Sequence, residues 1–374
     1  VFGKSGTGKT FLTRILLAGI LQKRIAVNLI FDMHNEYGWE GTSESNHSVK
    51  GLKQLFGSKV SVFSMDKESA SRRGFSPDHV VEFGHSDIAP EDIQLLRETL
   101  DMSSVTSDIA YSLAAQFGQN NWFSEFVNIS ADSMNALAGT MNVNGSALAT
   151  LRRRLDRLMR FEFVSKEKVE DSAGMIIDRL NAGQHVVLEF GKHGNNPTAY
   201  MLVANILTRR IYDEYQRQKE ASLGDKIKEP PNLVITIEEA HRFLSTSMAD
   251  QTIFGTIARE MRKYNVTLLI VDQRPSDIDD EIMSQIGTKI ACLLDSGRDV
   301  DSVLSGVSGS RKLRGVLSRL ETRQQALIFG HAIPMPVVVR TRDYGSSKSY
   351  AALGNLSQGI GDLKKNMEDL FGPS

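Results

Sequence analysis

An α/β fold with a mainly parallel sheet and a helical insertion is the architecture this sequence predicts, and three observations carry it. The chain opens on a Gly-rich phosphate-binding loop, Gly3-Lys4-Ser5-Gly6-Thr7-Gly8-Lys9-Thr10, set directly before a helix-patterned segment. Short apolar runs then alternate with helix-length segments, as expected of strands buried on both faces of a parallel sheet. In residues 90–168 the strand-like runs stop while Leu, Ala and Met recur, which marks the insertion.

Taken in order, residues 11–22 carry apolar positions at helical spacing, and residues 24–32 read as a strand ending on Asp32. A further strand is expected over residues 59–63. Pro90-Glu91-Asp92 has the composition of a helix start. Inside the insertion, the stretch from Leu151 to Arg160 is amphipathic and carries five arginines, a face that is either simply solvated or able to follow phosphates. The α/β alternation resumes with a strand at 185–190, a long helix at 199–220, a charged linker at 221–231 and a strand at 233–237. A helix at 251–263, strands at 267–271 and 288–294, and a closing strand pair at 325–329 and 336–340 follow. Residues 345–374 are Ser- and Gly-rich before a short amphipathic helix, and read as a tail or docking arm. The organisation expected is a core of residues 1–89 and 169–344, an insertion at 90–168 and the tail.

Composition narrows the class. Of 374 residues, 41% are hydrophobic and 24% charged, the balance of a soluble globular protein. No run of eighteen uncharged apolar residues occurs, so no membrane span is expected and a cytoplasmic enzyme is the default reading. The net charge of −1, from 44 Lys+Arg against 45 Asp+Glu, gives the whole molecule no push toward nucleic acid. Positive charge confined to a few channel-facing loops would still serve a nucleic-acid partner. The single Cys292 has no disulfide partner and reads as a small core residue in a buried strand. Eight histidines are scattered without metal-ligand spacing, so no transition metal is expected. Only Val1 and Phe2 precede the loop, so the strand that normally feeds such a loop is expected to begin upstream.

The loop's chemistry is specific. Gly3, Gly6 and Gly8, with Ser5 and Thr7 between them, let backbone N–H groups point inward at phosphate oxygens, and Phe11 continues the cradle into the helix. Lys9 would reach the β and γ phosphates of ATP, and the Thr10 hydroxyl would ligate Mg²⁺. The expected acidic counterpart is Glu238-Glu239 at the end of an apolar strand, Glu238 holding the metal's water shell and Glu239 acting as general base. Gln273 follows the next strand, where an amide is able to donate to the γ-phosphate. Arg259 and Arg262, grouped on one helical segment with Lys263, supply either an arginine finger to a neighbouring subunit or an ordinary surface ion-pair helix.

Taken together these pieces resemble the HerA family of hexameric DNA translocases, within the HerA/FtsK group of P-loop ATPases. The resemblance rests on the loop at residues 3–10, Phe31-Asp32-Met33-His34-Asn35-Glu36-Tyr37, Ile237-Glu238-Glu239-Ala240-His241, Ala258-Arg259-Glu260-Met261-Arg262-Lys263-Tyr264, Gln273-Arg274-Pro275-Ser276, Gly287-Thr288-Lys289-Ile290, and an end piece from Ala326 to Val337. It implies a RecA-like core assembled as a ring that uses ATP to pump duplex DNA, in DNA end processing or antiviral defence, with a nuclease or other effector as partner. Two other readings stay open: a regulatory or scaffold ATPase whose nucleotide state switches an effector, and a secretion or conjugation motor. The sequence departs from the family in three places. The small β-barrel that usually precedes the loop is not in this chain, Met261 stands where the family tends to have Gly, and Asp272 replaces a small residue before Gln-Arg-Pro.

Overall fold

The computed structural model describes residues 1–42, 47–166, 170–224, 229–249, 252–307, 309–322 and 324–354. Its strands are β1 (Val27–Asp32), the hairpin β2 (Glu40–Thr42) and β3 (Ser48–Lys50), β4 (Val60–Ser64), β5 (His79–Val80), the pair β6 (Phe83–Gly84) and β7 (Val164–Ser165), β8 (His185–Glu189), β9 (Leu233–Glu238), β10 (Val266–Val271), β11 (Thr288–Ala291), β12 (Gln325–Gly330) and β13 (Val337–Arg340).

Six of these form a wholly parallel sheet in the order β10-β9-β1-β8-β4-β5. Every residue of β1, β4 and β8 is buried, which is why these strands read as near-continuous apolar runs and not as alternating ones. β11, β12 and β13 make a separate antiparallel sheet. Phe2 ties the two together: it bridges Asp272, just past β10, and Ala291 of β11, both in parallel sense. Its N–H donates to the Ile290 carbonyl at 2.9 Å, and its own carbonyl accepts from the Cys292 N–H at 2.8 Å. The phosphate-binding loop therefore springs from between β10 and β11, beside the carboxyl ends of the parallel strands, where ligands of open α/β sheets bind. The strand expected to run to residue 294 stops at Ala291; beyond it the Cys292 N–H donates to the Phe2 carbonyl and the Leu293 carbonyl accepts from the Lys4 N–H, and Cys292 is buried, at 2% exposure.

Residues 90–158 are helical, in the segments Pro90–Leu95, Ser104–Phe117, Trp122–Asn128, Ala131–Met141 and Gly145–Leu158. Their starts are written in the sequence. Pro90 occupies the first turn, and the side chains of Ser103, Ser130 and Asn144 accept from Thr106, Ser133 and Ser146 N–H groups. Leu148, Leu151, Leu155 and Leu158 form the buried stripe of the last helix and join the same hydrophobic cluster as the sheet. The arginines opposite are partly spent on structure: Arg152 donates to the Phe126 and Ile129 carbonyls and pairs with Asp156, and Arg154 pairs with Asp101 at 2.8 Å. Arg153, Arg157 and Arg160 are exposed. Trp122 is fully buried and donates its indole N–H to the Ile88 carbonyl at 3.0 Å.

The long helix Pro197–Gly224 clamps these helices to the sheet. Its Asn205 and Arg209 donate to the buried Asp92 carboxylate at 2.7 and 3.0 Å, and Arg210 pairs with Asp87 and Asp171. The helix expected at 251–263 is shorter, Ile253–Glu260, and gives way to a tighter 3-10 turn at Met261–Tyr264; Gln251 lies outside the described residues. Arg259 is thus on the α-helix and Arg262 on the 3-10 turn that follows it. Of the tail, residues 345–354 are described and hold the helix Ser347–Gly354; residues 355–374 lie outside the described residues.

Candidate nucleotide-binding site

The loop owes its shape to two residues in left-handed backbone, Gly6 (φ 74°) and Gly8 (φ 83°), with open space where their side chains would be. That conformation is costly for any residue with a Cβ and turns successive N–H groups toward one concavity. Gly3 serves differently, since a Cβ there would meet Cys292 and Thr7 at under 3 Å. Thr7 closes the turn by donating to the Lys4 carbonyl at 2.7 Å. Gly8 is the residue before the helix Lys9–Lys23, so the helix N-terminus opens onto the same concavity. Lys9 is buried and donates to the Lys4 carbonyl at 3.1 Å. Burial holds its pKa below the ordinary lysine value, which neighbouring acids, Glu239 among them, partly offset.

A cavity of about 370 Å³ collects most of the expected residues: Ser5, Gly6, Gly8, Lys9, Thr10 and Phe11 on one side, Glu238, Glu239 and Gln273 on the other, with His34, Glu36 and Thr42 along the rim. Glu238 ends β9 at 7% exposure. Its Oε1 accepts the Tyr37 hydroxyl at 2.8 Å, while its buried Oε2 has no hydrogen-bond partner. Burial, reinforced by Asp32, pushes the Glu238 carboxyl up to about 8. Asp32 ends β1 and accepts the N–H groups of Glu36, Tyr37 and Gly38, which folds the following loop back over the site. Burial and the nearby Glu189 raise its pKa as well. Farther along that loop, the Trp39 N–H bonds Glu189, and the Trp39 ring stacks on Phe75 at 5.3 Å.

Glu239 has left-handed backbone (φ 49°), unusual for a non-glycine residue. Its Oε1 accepts the Gln273 amide at 3.2 Å and its Oε2 lies 3.7 Å from the His241 ring. Asp272, buried at the end of β10, accepts from the His241 N–H and ring and from the Arg274 N–H. Behind the loop, the buried Arg14 side chain is ringed by Phe11, Tyr37 and Tyr344.

Arg259 is not in this cluster. It pairs with Glu281 at 3.7 Å and does not line the cavity. The Arg262 side chain lies outside the described residues. The site also contains groups that sequence reasoning left without a role: Asp32, Tyr37, His241 and Asp272. An acid at the end of an apolar strand was a visible signal for Asp32; nothing local announced that Tyr37 would reach a residue 201 positions away.

Residues 1–211 match the family model of the central domain of helicase HerA. The DNA double-strand break repair helicase HerA of Pyrococcus furiosus is 25% identical over 95% of this chain and 66% of its own length. The protein of the same name from Saccharolobus solfataricus is 26% identical over 98% of this chain and 67% of its own. The chain thus spans about two thirds of the length of these relatives. Among solved structures, VirB4 of Thermoanaerobacter pseudethanolicus superposes with a TM-score of 0.57 at 11% identity, covering 91% of this chain and 88% of that one. The plasmid coupling protein TrwB with an ATP analogue superposes at 0.57 and 12% identity, covering 92% and 86%. Those two likenesses establish the α/β P-loop fold. With a family model matched across more than half of its length and HerA relatives aligned along nearly all of it, the chain belongs to the HerA helicase family.

Proposed function

We propose that this chain is the ATP-hydrolysing core of a DNA translocase, working in the cytoplasm as a ring, with hydrolysis completed between neighbouring subunits. The observation that carries the reading is the single cavity joining Lys9 and Thr10 to Glu238, Glu239 and Gln273. The loop's N–H groups and Lys9 bind the phosphates of ATP. The buried, unpartnered Oε2 of Glu238, in the same cavity as the Thr10 hydroxyl, is the donor set a hard divalent cation takes, so these two residues would hold Mg²⁺. When bound, Mg²⁺ neutralises charge on the β and γ phosphates. Glu239 takes the proton of the attacking water, and the Gln273 amide donates to the γ-phosphate. Arg259 or Arg262 of an adjacent subunit supplies the remaining positive charge, in keeping with the absence of Arg259 from the lining of its own chain's cavity.

Family membership supports duplex DNA as the substrate; a hexameric ring, a nuclease or other effector as partner, and a division into a RecA-like core at 1–89 and 169–344, a helical insertion at 90–168 and a docking tail at 345–374 belong to the same reading. Among the described residues, no helix is long and apolar enough to cross a membrane. The test is ATPase activity with and without duplex DNA, for wild type and Glu239→Gln. Strong stimulation by DNA is expected in the wild type, and Glu239→Gln should bind ATP normally yet turn over about 10² to 10⁴ times more slowly. Rates indifferent to DNA but altered by a protein partner would replace the translocase with a nucleotide-switched regulator.

A further inference from the structure

We infer that Asp272, acting through His241, is a positioning residue for hydrolysis that holds the Glu239 carboxylate at the phosphate end of the cavity; this rests on the assignment of Glu239 as general base. Asp272 is 1% exposed, and its carboxylate is directed at two turns at once. Oδ2 accepts the His241 backbone N–H at 2.8 Å and faces its ring Nδ1 at 3.0 Å, while Oδ1 accepts the Arg274 N–H at 2.7 Å. The turn after β9, which carries Glu239, and the turn after β10, which carries Gln273, are therefore fastened to one buried carboxylate. Glu239 itself sits between the two turns, Oε1 on the Gln273 amide at 3.2 Å and Oε2 toward His241 at 3.7 Å.

The geometry matters because Glu239 has backbone strain and a short reach. A left-handed non-glycine residue persists only where its surroundings over-determine it, and here the hydrogen bonds on either side of Glu239 do so. A carboxylate that must meet a water in line with the γ-phosphate loses about 10²-fold in rate for a displacement near 1 Å. Burial alone would favour a neutral Asp272, but the His241 contacts and the two backbone N–H donors outweigh it and keep the carboxylate ionised.

The experiment measures kcat and KM for ATP in Asp272→Ala, His241→Ala and Glu239→Gln, and in the two double variants that combine Glu239→Gln with each of the others. Both single variants should lower kcat about 10- to 100-fold with KM for ATP within about twofold of wild type. Neither should slow Glu239→Gln by more than about twofold, since the group they position is already disabled. If Asp272→Ala does not fold, His241→Ala decides, because its ring is partly exposed. Wild-type kcat in His241→Ala, a KM that rises in step with any loss, or losses that multiply with Glu239→Gln would each overturn the inference. Full activity in Glu239→Gln alone would instead remove the general base itself, and so is told apart from a failure of the clamp.

Discussion

Two buried carboxylates, one on each side of the molecule, face opposite circumstances. Asp92, where the helices of residues 90–158 meet the long helix, is fully matched: Oδ1 accepts from Asn205, and Oδ2 accepts from Arg209 and from the Ala89 N–H. Glu238, at the end of β9, has one oxygen on Tyr37 and the other on nothing, with Asp32 close enough to add repulsion. A carboxylate that only holds helices together is paired with cations and donors, whereas one left half-satisfied beside a phosphate-binding loop stores free energy that a ligand can release. The cavity end of the sheet is thus the costly end, and the helical side helps stabilise it.

Three measurements would break or sharpen that contrast. The largest effect is expected from the missing cation of the site. An Arg259→Ala, Arg262→Ala double variant should lose about 10³ to 10⁵ in ATPase rate, and mixing it with Glu239→Gln subunits should restore part of the activity, since some interfaces then pair an intact base with an intact finger. Normal hydrolysis by the double variant alone would return Arg259 and its Glu281 partner to the status of a surface ion pair.

The two carboxylates themselves come next. Asp92→Ala should cost about 3 to 5 kcal/mol in urea unfolding, because it leaves the half-buried Arg209 without its carboxylate and the buried Asn205 amide without its acceptor. Glu238→Gln should leave the nucleotide-free protein as stable or more stable, by on the order of 1 kcal/mol at pH 7, while abolishing Mg²⁺-dependent turnover. If both variants were equally destabilising, the difference drawn between the two regions would be wrong.

A smaller, pH-linked effect belongs to the sheet. His185 is buried, its Nδ1 accepts the Asn28 N–H at 3.1 Å, and burial pushes its pKa down from 6.5 to about 4. The unfolded chain therefore binds a proton that the folded chain refuses between those values. Its share of stability is complete above pH 6.5, is lost as pH falls toward 4, and amounts to about 3 kcal/mol at most. His185→Gln keeps an acceptor for Asn28 without the titration, and its unfolding midpoint should fall less steeply over that window. Parallel acid profiles for both proteins would show that other groups govern it.

What the sequence made legible follows the range of each interaction. β1, β9 and the loop at residues 3–10 were readable because an apolar run, a terminal acid and a fixed glycine spacing are all local. The hairpin β2–β3 was missed because three-residue strands give no periodicity to count. The early end of the helix before β10 was missed because Arg-Lys-Tyr suits an α-helix and a 3-10 turn alike. Among site groups, Lys9, Thr10, Glu238, Glu239 and Gln273 came from motif chemistry, whereas Tyr37, His241 and Asp272 act through contacts made only once β1, β9 and β10 lie side by side. Asp272 was visible as a departure from the family, but its hydrogen bonds were not.

The placement of the tryptophans has an optical consequence. The chain has two, and the fold assigns one to each region. Trp39 is stacked on Phe75 in the loop that Asp32 and Glu189 draw over the cavity rim, and Trp122 is sealed among the helices of residues 90–158. Intrinsic fluorescence is therefore divided between a half-buried emitter in the loop beside the cavity and a dry one among the helices. Replacing either ring by Phe leaves a single-site reporter, with no extrinsic dye, for events at the phosphate end or on the helical side of the same molecule.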